Sequence, residues 1–174
     1  MRGTELVVLV LAVAACSCEM RSRAPSDASA PGEPARFVRE RDLTWTRIIP
    51  DLGARSPEMA IVHVDPATQA TQLMIRTPAA IHIRPHWHTA NETHSIIRGT
   101  AIFECDGQRA ELAPGSYNFM PARMVHQAWL PANSLAFITV DRAWDVNWVE
   151  GPPTAADLMP TRTPRQRKAR RPKS

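Results

Sequence analysis

The run Pro85-His86-Trp87-His88-Thr89-Ala90-Asn91-Glu92, joined downstream by His126, puts three imidazoles and a carboxylate where they can share one ion. In an extended chain successive side chains alternate faces, so His86 and His88 point the same way and their ring nitrogens reach a common point. Glu92 follows the turn Thr89-Ala90-Asn91 and opens a second extended run that ends at Gly99. His126 supplies a donor from a distant strand. Neutral imidazole with one carboxylate oxygen is a borderline donor set, suited to one divalent transition metal: iron, manganese, nickel, zinc or copper.

Alternation also sorts the neighbours. If Glu92 faces inward, so do His94, Ile96 and Arg98. His94 is the candidate catalytic residue, either as acid or base or as a partner to a ligand, because histidine titrates in the range such work needs. The competing reading is a polar barrel residue satisfied by a neighbour. His82 and Arg84 share the parity of His86 and are expected to line the interior further from the metal. Trp87 and Trp129 have the opposite parity to the adjacent ligands, which fits outer-face packing or a subunit contact in a homodimer.

These residues must be positioned by short extended elements. Segments 60–64, 72–76, 81–84, 93–98, 101–104, 110–112, 117–120, 127–130, 135–140 and 146–149 are rich in β-branched or aromatic residues and recur at regular spacing. Turn residues separate them, a pattern that predicts a sandwich or barrel. Asp106-Gly107 is the preferred pair for a two-residue hairpin turn. No long segment repeats its apolar positions every 3.6 residues, so little helix is expected.

At these residues the chain resembles the cupins. Their first motif is a glycine, five residues, His-x-His, three or four residues, Glu, six residues and Gly. His86, His88, Glu92 and Gly99 fall on it, with Ala80 at the leading glycine. The second motif is Gly, five residues, Pro-x-Gly, two residues, His, three residues and Asn. Gly115, Pro121 and His126 fall on it, with Arg123 at the second glycine and Leu130 at the asparagine. The resemblance implies an all-β fold, an antiparallel jelly-roll β-barrel, with His86, His88, Glu92 and His126 as metal ligands. Arg123 then either holds a substrate carboxylate or fixes the second-motif loop through a salt bridge. The short inter-motif stretch is most similar to small single-domain bacterial cupins resembling the cupin domains of anti-sigma factors, over residues 41–151. Three neutral imidazoles and one carboxylate would leave a divalent ion with net +1 charge and open positions for substrate oxygens, so a metal-dependent enzyme for a small anionic or enolisable substrate is expected, dioxygenase-like before isomerase or lyase. The alternative is a non-catalytic metal- and ligand-binding module at the cell envelope.

The ends read differently. In residues 1–18 Arg2 precedes ten apolar residues, 6–15, and Val13-Ala14-Ala15-Cys16 resembles a bacterial lipobox. Ten residues fall short of the roughly 20 that span a bilayer, so an export signal with lipidated Cys16 as membrane anchor is expected, giving a periplasmic or outer-surface lipoprotein. Residues 19–40 are polar and proline-rich, a disordered linker. Cys105 is expected to be a small buried hydrophobe rather than a partner of Cys18. Residues 152–174 are expected to be a disordered basic tail. Residues 160–174 hold seven basic and no acidic residues, and without them the chain has 14 basic against 17 acidic residues. The formal charge of +4 therefore belongs to the tail, which argues against nucleic acid as a partner.

Overall fold

A computed structural model describes residues 35–160. The export signal, Cys16, Cys18, most of the linker and the basic residues from 161 onward lie outside the described residues. Eleven strands make up the fold: β1 Thr46–Arg47, β2 Glu58–Val64, β3 Thr71–Thr77, β4 Ile81–Trp87, β5 Glu92–Arg98, β6 Ala101–Cys105, β7 Gln108–Leu112, β8 Tyr117–Met120, β9 His126–Leu130, β10 Ser134–Val140 and β11 Asn147–Trp148. They form a six-stranded sheet, β1-β2-β3-β10-β5-β8, and a five-stranded sheet, β11-β4-β9-β6-β7. Every pairing is antiparallel, and the two sheets make the jelly-roll barrel expected from the segment pattern. Among the described residues, helix is confined to three short 3-10 segments.

Alternation works along most strands. On β5, Glu92, His94 and Ile96 are buried while the residues between them are partly open. Leu73, Ile138, Val140 and Ala90 pack at one part of the interior, and Ile96, Phe103, Met120 and Ala128 at another. The hairpin joining β6 to β7 turns at Asp106 and Gly107, both with positive φ (48° and 70°), as the sequence pair requires. Gly99, also at positive φ, passes so close to β10 that a Cβ there would stand 2.8 Å from Ser134 Cβ.

Three register shifts interrupt the described ladders, and the two on β4 and β5 overturn parity expectations. On β4, Ile83 faces Ala128 but His86 faces His126, so three steps on β4 match two on β9. The extra residue falls at Arg84-Pro85, where proline lacks a ladder donor. Ile81 and Ile83 consequently share the inner side with His86, and His82 and Arg84 turn outward. His82 stacks on Trp129 (4.7 Å between centroids) and Arg84 pairs with Asp157 at 2.9 Å. The expectation that His82 and Arg84 line the interior is therefore wrong. On β5, a shift opposite Leu135 and Ala136 turns the Arg98 guanidinium out, to the Asn133 carbonyl at 2.9 Å and Glu40 at 3.5 Å.

Ordered chain continues past the expected boundary at residue 151. Thr154 and Asp157 form a capping box, Leu158 bridges Ile81, and Met159 N donates to the Ala80 carbonyl at 2.9 Å. Residues 152–160 thus lie along β4 rather than forming part of a disordered tail. Composition marked the tail, but it could not register the burial of Leu158 against Ile49, Leu52 and Ile81.

Candidate metal centre

β4 and its exit turn bring in His86 and His88, β5 brings Glu92, and β9 brings His126. All four are buried, Glu92 most completely at 1% exposure. One ring nitrogen from each of His86, His88 and His126 lies within 4.8 Å of the others. Glu92 Oε2 faces the same space, 3.0 Å from His88 Nε2 and 3.8 Å from His126 Nε2. The sequence-predicted ligands are therefore neighbours in space.

Their hydrogen bonds fix which nitrogen can bind an ion. His86 Nδ1 lies 2.7 Å from the Arg84 carbonyl, His126 Nδ1 3.0 Å from the Met124 carbonyl, and His88 Nδ1 bonds the Asp145 carbonyl. A carbonyl oxygen only accepts, so each Nδ1 must carry the hydrogen and each neutral ring turns a bare Nε2 inward. Bare nitrogens beside a carboxylate repel unless a cation lies among them. His126 Nε2 and Glu92 Oε2 are indeed buried without a hydrogen-bond partner, which an ion would correct. The donor set fits a divalent transition metal.

Protonation follows the same surroundings. Burial, with the neighbouring His126, holds His86 down to about 3, and burial holds His126 down to about 4. Burial also opposes charge on His88, but its bond to Glu92 and that carboxylate's charge raise it overall. For Glu92 burial raises the carboxyl, yet His94, His88 and His126 around it pull it down to about 2. Of the three ligand rings, His88 is the one whose charged form these surroundings favour, opposite Glu92.

The loops that hold these groups are cross-linked by polar side chains. Asn91 donates to Asp141 and accepts from Ala122 N at 2.9 Å, tying the turn after β4 to the segments following β10 and preceding β9. Asp145 accepts from Thr89 N at 2.9 Å and from Asn147 at 2.9 Å, so its carbonyl stays under His88. Arg123, where the resembling motif has glycine, adopts φ +64°, and its N–H donates to the His88 carbonyl at 2.8 Å. The loop thus keeps the left-handed turn without glycine. Among the described residues Arg123 forms no ion pair; its guanidinium lies 5.9 Å from the Trp87 ring centroid. The expected loop-fixing salt bridge is replaced by a backbone bond. Trp129 does pack on the outer face, between His82 and Arg109.

His94 is buried beside Glu92, its Nε2 3.4 Å from Oε2, and its Nδ1 meets Asn118 Oδ1 at 2.8 Å. Sequence reasoning missed three contributors. Trp144 Nε1 donates to Glu92 Oε1 at 3.1 Å, Asp145 holds His88, and Trp148 lies 5.2 Å from the His86 ring. Their signal was present as two tryptophans four apart directly after the last long strand, outside any periodic pattern. A cavity opens beside the cluster, walled by Ile48, Ile75, Ile83, Phe103, Leu135 and Ile138. Cys105 is half-buried against the Ile96 and Phe103 cluster.

Residues 72–140 match the family model described as Cupin domain. Among solved structures the fold is similar to KdgF from Halomonas sp., with TM-score 0.52 and 19% identity over 63% of this chain and 96% of that one. It is also similar to the polyketide cyclase RemF from Streptomyces resistomycificus, with TM-score 0.52 and 17% identity over 67% and 86%. A provisional acetylacetone dioxygenase from Methylibium petroleiphilum gives TM-score 0.53 and 16% identity over 72% and 88%. At these identities the likeness concerns the fold, and the resemblance to anti-sigma-factor domains stays an expectation from sequence. No curated protein matches the sequence.

Proposed function

We propose that this chain, whose residues 72–140 match the cupin-domain model, is a metal-dependent enzyme for a small enolisable molecule, with dioxygenase-like chemistry ahead of isomerase or lyase chemistry. One observation carries the reading: three imidazoles tethered through Nδ1 turn bare Nε2 atoms toward an otherwise orphaned Glu92 oxygen, beside an apolar cavity. A divalent ion held by His86, His88, His126 and Glu92 would polarise a substrate oxygen and, as iron, give access to dioxygen chemistry.

The chain's own residues set the substrate class. The apolar walls receive a hydrocarbon portion and exclude water. Arg98 is the cationic side chain that borders the cavity, and its guanidinium is already engaged by Asn133 and Glu40. Among the described residues, a permanently anionic substrate would therefore meet no free guanidinium at the cavity. An enolisable carbonyl compound, neutral until it binds, suits these walls better. The names of two structures of similar fold, citing acetylacetone and a polyketide, support the same class. His94 borders both the cavity and Glu92, so it is the residue placed to handle a proton there.

Elemental analysis of protein purified without added metal, followed by oxygen uptake with diketones, phenols and thiols, tests this reading. Iron with diketone-dependent uptake supports it. Ligand-dependent stabilisation with no turnover of any class would replace it with the binding module. The proposal also places the domain at the bacterial envelope, tethered through lipidated Cys16. Cys16→Ser protein that is still processed and retained in membranes would refute that anchor.

A further inference from the structure

His94 differs from the three ligand histidines in the partner of its Nδ1. Theirs are backbone carbonyls, which can only accept, so their tautomer is forced. His94 instead faces the carboxamide of Asn118, its register partner on β8, and a carboxamide has one end that accepts and one that donates. The neighbouring Tyr117 and Phe119 are turned to solvent, which leaves Asn118 on the inner side of its strand.

Consider the two orientations of that amide, which fill the same space. With Oδ1 toward His94 at 2.8 Å, Nδ1 carries the hydrogen and a bare Nε2 faces the Glu92 carboxylate at 3.4 Å. Asn118 Nδ2 is then buried without a partner, as is Glu92 Oε2. Reversing the amide lets Nδ2 donate to Nδ1 and leaves the hydrogen on Nε2, aimed at Oε2. Both orphaned groups gain a partner from one rotation, and only the amide oxygen loses its own. A contact of 3.4 Å is at the long end of hydrogen bonding, and a proton on Nε2 is what makes it attractive.

We propose that Asn118 is a positioning residue that holds His94 as its Nε2–H tautomer, so that His94 donates to Glu92 instead of competing for the ion. Glu92 is then held at both oxygens: Oε1 by the Trp144 indole at 3.1 Å, and Oε2 by His94, with a lone pair of Oε2 left facing the imidazole triad. The barrel thereby sorts four buried histidines into three ligands held by carbonyls and one donor held by an amide. This inference rests on the metal-centre reading for its purpose, while the tautomer itself can be read with or without metal.

The test is long-range proton–nitrogen NMR of the imidazoles in the 15N-labelled full chain, both metal-free and loaded with diamagnetic zinc. His94 is expected to be protonated at Nε2 and bare at Nδ1 in wild type. Asn118→Asp, whose carboxylate only accepts, is expected to move the hydrogen to Nδ1 and to weaken zinc binding by roughly 10–100-fold, the usual cost of losing a partner behind a ligand. A role in packing alone would change thermal stability without moving the hydrogen. Wild-type His94 protonated at Nδ1 would overturn the inference, and that measurement stands even where the Asp variant does not fold. Failure to take up zinc, with Nε2–H still present in the metal-free chain, would instead overturn the metal centre and leave the tautomer assignment supported.

Discussion

His82 and His86 sit four residues apart on β4, yet one lies against solvent and the other in the barrel. His82 stacks on Trp129, which also carries Arg109 on its ring at 4.3 Å, and it bonds Gln127 at 2.8 Å. Water competes for each of those partners. His86 is buried, tethered through Nδ1 and held down to about 3 because burial disfavours its charged form. One inserted residue at Arg84-Pro85 separates the two fates. The same side chain is therefore replaceable on the outer face and decisive on the inner one, since a polar group cut off from water depends wholly on its protein partners.

The largest expected effect comes from breaking the inner cluster. His126→Ala removes a ligand and leaves Glu92 charged among the remaining rings, so the variant should lose most of its metal and some thermal stability. Metal content equal to wild type would show that the cluster is not the centre. His94→Phe removes the donor behind Glu92, so it should weaken metal binding at limiting metal, while at saturating metal it keeps one ion per chain and turnover falls about 100-fold or more, the scale of a lost general acid or base. Unchanged activity would reduce His94 to packing, and failure to hold the ion even at saturating metal would make it a ligand.

Acid sharpens the comparison through linkage. His86 and His126, lowered in the fold to about 3 and about 4, regain the ordinary 6.5 on unfolding, so the unfolded chain binds more protons below that value. Glu92, lowered to about 2, adds to this below 4.5. His88 is raised and acts oppositely: its contribution is complete below 6.5 and fades as pH rises through its folded value. Three lowered groups outweigh one raised group. The metal-free protein should lose stability as pH falls from 6.5 toward 4, measured as a declining urea midpoint. A flat profile would mean that these rings are solvated rather than buried.

The smallest effect belongs to the outer face. His82→Ala removes a stacked ring and one hydrogen bond, worth about 0.5–1.5 kcal/mol, and should leave metal content unchanged. A loss of metal in this variant would show that the outer ladder of β4 controls the bulge, and would erase the contrast between the two faces.

Much of this was legible in the residues. The His-x-His spacing, Glu92 and His126 identified the cluster, the regular short segments identified a β-barrel, and Asp106-Gly107 marked its turn, because each depends on local geometry with a fixed period or a fixed turn chemistry. Parity arguments held on β5 as far as Ile96 and failed at His82, Arg84 and Arg98, where an extra residue in a strand reverses every face beyond it. Pro85 is a local mark of irregularity on β4, but where the extra residue falls and which faces it reverses are set by how two distant strands pair. The same holds for Asp145, Trp144 and Asn118, which reach His88, Glu92 and His94 across 57, 52 and 24 residues of sequence. The sequence by itself determined which atoms could bind an ion. Only the tertiary structure decided which nitrogen of each ring is bare, because that depends on whether the group behind it is a carbonyl or an amide brought there by folding.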